Sequence, residues 1–167
     1  MIRLLGRQTS GNVQKVIFCL EEIGAPYARE DYGRQFGNTL TEAYRALNPT
    51  AKVPTLIDGD LTIWESHTIL RYLAAAHAPA LTGATPGERS MVERWMDFLL
   101  AALNAPYVAV FRDARKPATE RAGDFAAQSG CAHRLCLASA QARRRRAARP
   151  ENRDTASRLE RAQCRRR

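Results

Sequence analysis

The sequence predicts an α/β domain, a small sheet with helices on both faces, followed by a helical segment. Three observations point there. Strand-like runs alternate with helix-spaced apolar residues through about residue 77. A tight hairpin closes that series. After it, the apolar spacing is helical only, from residue 88 to 111.

The elements follow in order. "IRLL" opens a first strand over residues 2–7, and "QTSGN" is a polar turn. In "VQKVIFCLEEIG", Val13, Val16, Ile17, Leu20 and Ile23 share one helical face, and Gly24 suits the left-handed residue that ends a helix. "APYARED" (25–31) is a second strand. The glycine-bearing loop "YGRQFGN" leads to a short helix at "LTEAYRAL", which stops at Asn48-Pro49 because the residue before a proline disfavours helical backbone. "KVPTLIDGDLTIWES" (52–66) alternates apolar residues around a "DGD" turn, and "SHTILRYLAAAH" (66–77) has helical spacing. "APALTGATPG" (78–87) is a linker, and Pro86 fits the first position of the next helix. That helix carries Met91, Trp95, Phe98, Leu99, Ala102 and Leu103 along one side, and Pro106 kinks or ends it.

Composition divides the chain near residue 118. The net charge of +9 is almost all in the second part: residues 1–118 carry 13 Lys/Arg and 12 Asp/Glu, residues 119–167 carry 13 and 5. All 13 basic residues of that second stretch are arginine, and Phe125 is its one aromatic residue. Such a segment buries little surface and is expected to be disordered. Its arginines suit phosphates, but without interleaved aromatics or a binding module no specific nucleic-acid partner is expected. No apolar run approaches the length of a membrane span, and the N-terminus lacks a leader's apolar core, so a cytoplasmic protein with no membrane partner is expected. Cys19, Cys131, Cys136 and Cys164 show neither metal-ligand nor disulfide-framework spacing; no metal is expected.

The opening proline of the hairpin is the informative residue. Proline cannot donate to a sheet ladder, so Pro54 belongs at a strand start. Together, "TSGNVQKVIFCLEEIGAPY", "LNPTAKVPTLIDGDLTIWESHTILRYLA" and the tryptophan-bearing helix resemble the cytosolic glutathione transferases of bacterial, serine-type, theta-like kind, over residues 1 to about 113. The resemblance implies a thioredoxin-like α/β domain over 1–77 that binds glutathione as co-substrate. The linker 78–87 then leads to the start of an all-α domain, 88–117, that shapes the pocket of a small electrophile, usually in a homodimer. Residues 118–167 depart from the pattern, lacking the helices that complete that domain. We expect a change of reading frame near residues 114–124, which the coding DNA tests directly: an alternative frame restoring helical-domain sequence supports it, and none contradicts it.

The resemblance also implies site residues. The Val53–Pro54 bond is expected to be cis, turning the backbone of Val53 toward the cysteinyl unit of glutathione. Glu65 and Ser66, at the start of a helix, suit the γ-glutamyl amino and carboxylate groups. Lys52 and His67 flank them; Arg34 and Gln35 lie in the loop that reaches the glycyl end, and Asp97 faces a partner subunit's site. The thiolate must be stabilised against protonation. Ser10 is the first choice for that role, with Asn12 as a second donor or loop anchor and Thr9 after it. Each residue alone also reads blandly, Ser10 and Ser66 as helix caps and Lys52 as a solvated surface charge. With no cysteine in residues 7–12 and Cys19 inside a helix, dithiol chemistry by the protein's own thiols is not expected. The activity expected is a glutathione transferase. Alternatives are reduction of glutathionyl disulfides, or a remnant that binds glutathione without turnover.

Overall fold

In a computed structural model, residues 1–123, with 125, 127, 129 and 130, are described. The rest of the arginine-rich segment, with Cys131, Cys136 and Cys164, lies outside the described residues. The chain divides into two compact units, Met1–Met96 and Asp97–Arg167.

The first unit is built on a four-stranded sheet in the order β2-β1-β3-β4. Its strands are β1 (Ile2–Leu5), β2 (Tyr27–Glu30), β3 (Thr55–Asp58) and β4 (Leu61–Trp64). β1 runs parallel to β2 and antiparallel to β3, which pairs antiparallel with β4 through the expected hairpin. The parallel pair requires a crossover, and α1 (Gly11–Ile23) supplies it. Gly24 ends that helix in the left-handed conformation at φ 66°, as expected of a glycine there. α3 (Ser66–His77) packs beside α1. From these two helices Val13, Val16, Leu20, Ile69 and Leu73 meet Ile2, Leu4, Leu56 and Ile63 of the sheet in one buried cluster. Each such aliphatic side chain contributes about 1.5–3 kcal/mol by leaving water.

The other face is covered as well. Neighbouring strand residues point to opposite faces, and both Leu4 and Leu5 are fully buried. On that second side α2 (Glu42–Leu47), capped by Thr41 Oγ1 accepting from Tyr44 N, carries the buried Tyr44. The Tyr44 hydroxyl donates to the Lys52 carbonyl (2.7 Å) and lies 2.9 Å from Thr55 Oγ1. Asn48 Nδ2 donates to the same two oxygens at 2.8 and 3.0 Å, while Asn48 Oδ1 accepts from the backbone and hydroxyl of Thr50. Asn48, read from sequence as a helix stop, is therefore also half of a buried polar clamp on residues 52–55.

α4 (Pro86–Phe98) begins with a reciprocal capping box: Thr85 Oγ1 accepts from Glu88 N, and Glu88 Oε2 accepts from Thr85 N and Ala84 N. These bonds hold the Glu88 carboxyl below its ordinary range. The single helix expected over 88–111 is interrupted. Leu99–Leu103 form a π-helical turn before α5 (Asn104–Asp113). Pro106 has no N–H for the carbonyl four residues earlier and its ring crowds that turn, and a widened turn is the usual accommodation. Within the second unit, Asp113 at the end of α5 pairs with Lys116 (2.6 Å) and accepts from Ala122 N (3.0 Å), and Ala118–Glu120 form a 3₁₀ turn. The apolar residues of α4, the π-helical turn and α5 are not fully buried; Met91, Leu100, Tyr107 and Phe111 are exposed.

Removing the clamp tests its contribution. Asn48→Ala removes one donor each from the buried Thr55 hydroxyl and the Lys52 carbonyl and is expected to destabilise the first unit by about 1–3 kcal/mol, measured by urea unfolding; a loss below about 0.5 kcal/mol contradicts the clamp.

Candidate functional site

The register of the sheet decides which loops meet. Leu5 pairs with Thr55 and with Glu30, and Thr55 pairs with Trp64. The ends of β1, β2 and β4 and the start of β3 are thus level. The segments 6–10, 31–34, 52–54 and 65–67 all emerge at one end of the sheet. Two helices, α1 and α3, begin at that same end, each directing unpaired N–H groups and a positive dipole end there.

Ser10 is the N-terminal flanking residue of α1, with φ −87° and ψ 121°. Its carbonyl accepts from Gln14 N, but its hydroxyl makes no capping bond. The bland reading of Ser10 as a side-chain cap therefore does not hold. The side chain is 8% exposed, at the mouth of the helix. Asn12, in the first turn, is exposed, as is Thr9. The Val53–Pro54 peptide bond is cis, as expected. Val53 lies outside the ladder, just before β3, and its N–H and C=O enter no backbone hydrogen bond outside the regular elements among the described residues. The clamp from Tyr44 and Asn48 grips the carbonyl before it and the hydroxyl two residues after it. Lys52 directs its side chain to solvent.

Glu65 stands before the first turn of α3 with φ 69° and ψ 115°, in the region that side chains disfavour. Its carboxylate is exposed and does not cap the helix. Ser66 and His67 follow at 5% and 4% exposure. The non-glycine residues with positive φ among the described residues are Arg34, Ala51 and Glu65, and all three border these loops. Strain of this kind costs of the order of 1–3 kcal/mol per residue and concentrates where a chain must present backbone to something else.

Structure adds residues that sequence reasoning did not single out. Lys15, one turn into α1, is lowered in pKa by burial, against which the Glu65 carboxylate acts. Arg7 approaches Gly33 across the loops. Tyr44 and Asn48 hold the Val53 segment. Only a polar Asn, Thr and Tyr around the hairpin's first strand signalled the last two; Lys15 and Arg7 had no sequence signal beyond proximity to Ser10. Asp97 belongs to the second unit. Cys19 is half-buried, and burial raises its thiol pKa, away from the thiolate a nucleophile needs. Among the described residues no cluster of His, Cys, Asp or Glu offers metal ligation, and no helix is long and apolar enough to cross a membrane. A separate apolar groove of about 380 Å³ lies between α1, α3 and α4, lined by Cys19, Leu70, Ala74, Val92 and Met96 and by none of the loop-end residues.

A parallel β-α-β unit joined to a β-β-α unit, with a cis proline opening the third strand, defines a thioredoxin-like domain. The family model for the glutathione S-transferase N-terminal domain matches residues 9–76. The solved theta class glutathione S-transferase of Xanthomonas axonopodis pv. citri with glutathione bound is 43% identical, with a TM-score of 0.78, covering 84% of this chain and 69% of that one. Glutathione S-transferase GstB of Escherichia coli (strain K12) is 39% identical over 125 residues, 72% of this chain and 60% of that protein. Glutathione S-transferase 4 of Zea mays is 34% identical over 110 residues. The chain belongs to the glutathione S-transferase family. It spans 60% of the length of the E. coli relative and 49% of the maize one.

The strained backbone at Glu65 is open to test by stability alone. Glu65→Gly is expected to be about 1 kcal/mol more stable than Glu65→Ala, since only glycine takes positive φ without a Cβ clash. Thermal or urea unfolding of the two variants measures this; equal stability contradicts the strain.

Proposed function

We propose that this protein binds glutathione at the loop end of the sheet and stabilises its thiolate for attack on a small electrophile. The observation that carries the reading is the convergence of Ser10, Val53–Pro54 and Glu65-Ser66 on one end of the sheet, with two helix N-termini opening there. The exposed backbone of Val53 suits the cysteinyl unit as an added strand residue. The start of α3 suits the γ-glutamyl carboxylate, with Ser66 donating and Glu65 taking the amino group. Lys52 is placed to steer a ligand carboxylate, and His67, being buried, serves by holding the first turn of α3.

The thiolate falls to the α1 end. Ser10 has an uncommitted hydroxyl at the mouth of that helix, and Asn12 offers a second donor from the first turn. The helix dipole and the nearby cations Arg7 and Lys15 favour a negative sulfur, so the thiol's pKa in the complex lies below that of free glutathione. As a transferase the protein acts in the cytoplasm and, with a complete helical domain, as a homodimer. Glutathione binding without turnover is a second reading. It is favoured by α4, the π-helical turn and α5 leaving Met91, Leu100, Tyr107 and Phe111 exposed, because the electrophile pocket in the family draws on the helical domain. An aryl halide against a glutathionyl disulfide separates transfer from disulfide reduction; turnover of neither, with binding intact, supports the second reading.

Ser10→Ala is expected to raise the pKa of the bound thiol by about one to two units, the loss of one charge-assisted hydrogen bond. At a pH below that pKa the thiolate fraction falls by about tenfold to a hundredfold. Titration of the thiolate's ultraviolet absorbance in the complex measures it. An unchanged pKa in Ser10→Ala with a raised one in Asn12→Ala moves the role to Asn12.

A further inference from the structure

Val53 is seated on glycine. A Cβ on Gly6, the residue after β1, would stand 3.3 Å from Val53 Cβ. One on Gly33, in the loop after β2, would stand 3.4 and 3.6 Å from the two Val53 methyl carbons. The Val53 side chain is half-buried and packs against the buried cluster. It thus fills a notch bordered by two glycines, with Val13 of α1 beside Gly6: the same Cβ would stand 2.5 Å from Val13 Cγ2. The borders of the notch are held. Gly6 N donates to the Glu30 carbonyl (2.8 Å), and the Gly6 carbonyl accepts from Arg29 Nη1 (3.0 Å). Gly33 N donates to Asn38 Oδ1 at 3.0 Å.

The notch completes what the polar clamp begins. The Lys52 carbonyl shares one peptide plane with Val53 N–H, so the bonds from Tyr44 and Asn48 orient that N–H. Those bonds do not reach the Val53 carbonyl. Once Cβ is fixed as well, the tetrahedral Cα leaves one direction for the bond to the carbonyl carbon. A methyl group on residue 6 would displace Val13 and Val53 by a few tenths of an ångström or more, and overpacking of this kind moves backbone. Gly33 has φ 86°, where a Cβ is strained, so a side chain there shifts the loop that borders Val53.

We propose that Gly6 and Gly33 are positioning residues for the cysteinyl unit of the bound peptide: by seating the Val53 side chain they set the directions of Val53 N–H and C=O. The proposal rests on the reading of this site as a glutathione site. Strand-like pairing needs both groups aimed at the ligand, and hydrogen bonds weaken steeply with misalignment. The two glycines therefore govern how much of the affinity comes from the ligand's backbone, apart from any contribution of its γ-glutamyl end.

Calorimetry with two ligands tests it without requiring turnover: glutathione, and its depsipeptide analogue with an ester oxygen in place of the cysteinyl N–H, which cannot donate to Val53 C=O. The unaltered protein is expected to bind glutathione about tenfold more tightly than the analogue. Gly6→Ala is made together with Val13→Ala, which clears the 2.5 Å contact and leaves Val53 as the neighbour that must move. Val13→Ala alone is the reference and is expected to keep the tenfold ratio. The double variant, and separately Gly33→Ala, are expected to lower it to about threefold or less. Partial unfolding weakens both ligands by the same factor and leaves the ratio unchanged, so loss of stability does not mimic the effect. A ratio that stays near tenfold in one glycine variant removes that glycine from the role. In both, or with Val13→Ala alone losing as much as the double variant, it overturns the notch and leaves the glutathione site standing. Equal affinity of the unaltered protein for the two ligands overturns the pairing at Val53 and the notch with it, and failure of a folded chain to bind either overturns the site reading.

Discussion

Two oxygens organise this domain: the carbonyl of Lys52 and the buried hydroxyl of Thr55. Tyr44 and Asn48 reach both from the second face of the sheet. Between those oxygens lie Val53 and Pro54, so the backbone that faces outward is fixed from behind at two points. A loop held only by its ends samples many conformations at a cost of about 1–2 kcal/mol per residue to order; here the bonds from Tyr44 and Asn48 restrict the chain between Lys52 and Thr55. The polar atoms satisfy one another, which is the condition under which buried hydrogen bonds rigidify a structure. Thr55 is also the residue whose pairing with Leu5 and Trp64 levels the loops. The clamp and the register thus act on one strand end.

Two kinds of charge then gather there. Helices α1 and α3 contribute dipole ends, and Arg7, Lys15, Arg34 and Lys52 contribute full charges. Glu65 is the acidic side chain set against them at the start of α3. In the proposed reading, an end of the sheet so arranged suits a small peptide with several negative groups and one amine. The strain at Arg34, Ala51 and Glu65 is consistent with loops held for presentation, supported by the buried cluster of Leu4, Val16, Leu20 and Leu73 beneath them.

Most of this frame was legible from residue patterns. The hairpin follows from its alternation and the Asp58-Gly59-Asp60 turn, and the helix over 66–77 from its apolar spacing, because local geometry and burial agree at those places. The first strand ends at Leu5, short of the expected 2–7, although Gly6 N and Arg7 N still donate to the Glu30 and Tyr32 carbonyls; residue 6 must be glycine because a Cβ there would stand 2.5 Å from Val13. Long-range contacts were not legible. Nothing local tells that Tyr44 and Asn48 meet Thr55, or that Gly33 makes room for Arg7; an arginine in a polar turn reads as solvated. The break between α4 and α5 was half visible: Pro106 marked it, but the widened turn lies before the proline, where the unpaired carbonyl is. The role of the apolar stripe from Met91 to Leu103 depends on what covers it, and no residue within the stripe carries that information.

We propose the sheet end as a preformed, peptide-shaped site centred on Val53. Amide chemical-shift mapping of the ¹⁵N-labelled chain during a glutathione titration tests it most directly. Saturable shifts are expected to concentrate at Val53, Ser66 and the residues around Ser10, with Tyr44 and Asn48 showing the same hydrogen-exchange protection before and after binding. Shifts centred on the groove between α1, α3 and α4, or protection of Tyr44 and Asn48 that appears only with ligand, would contradict it.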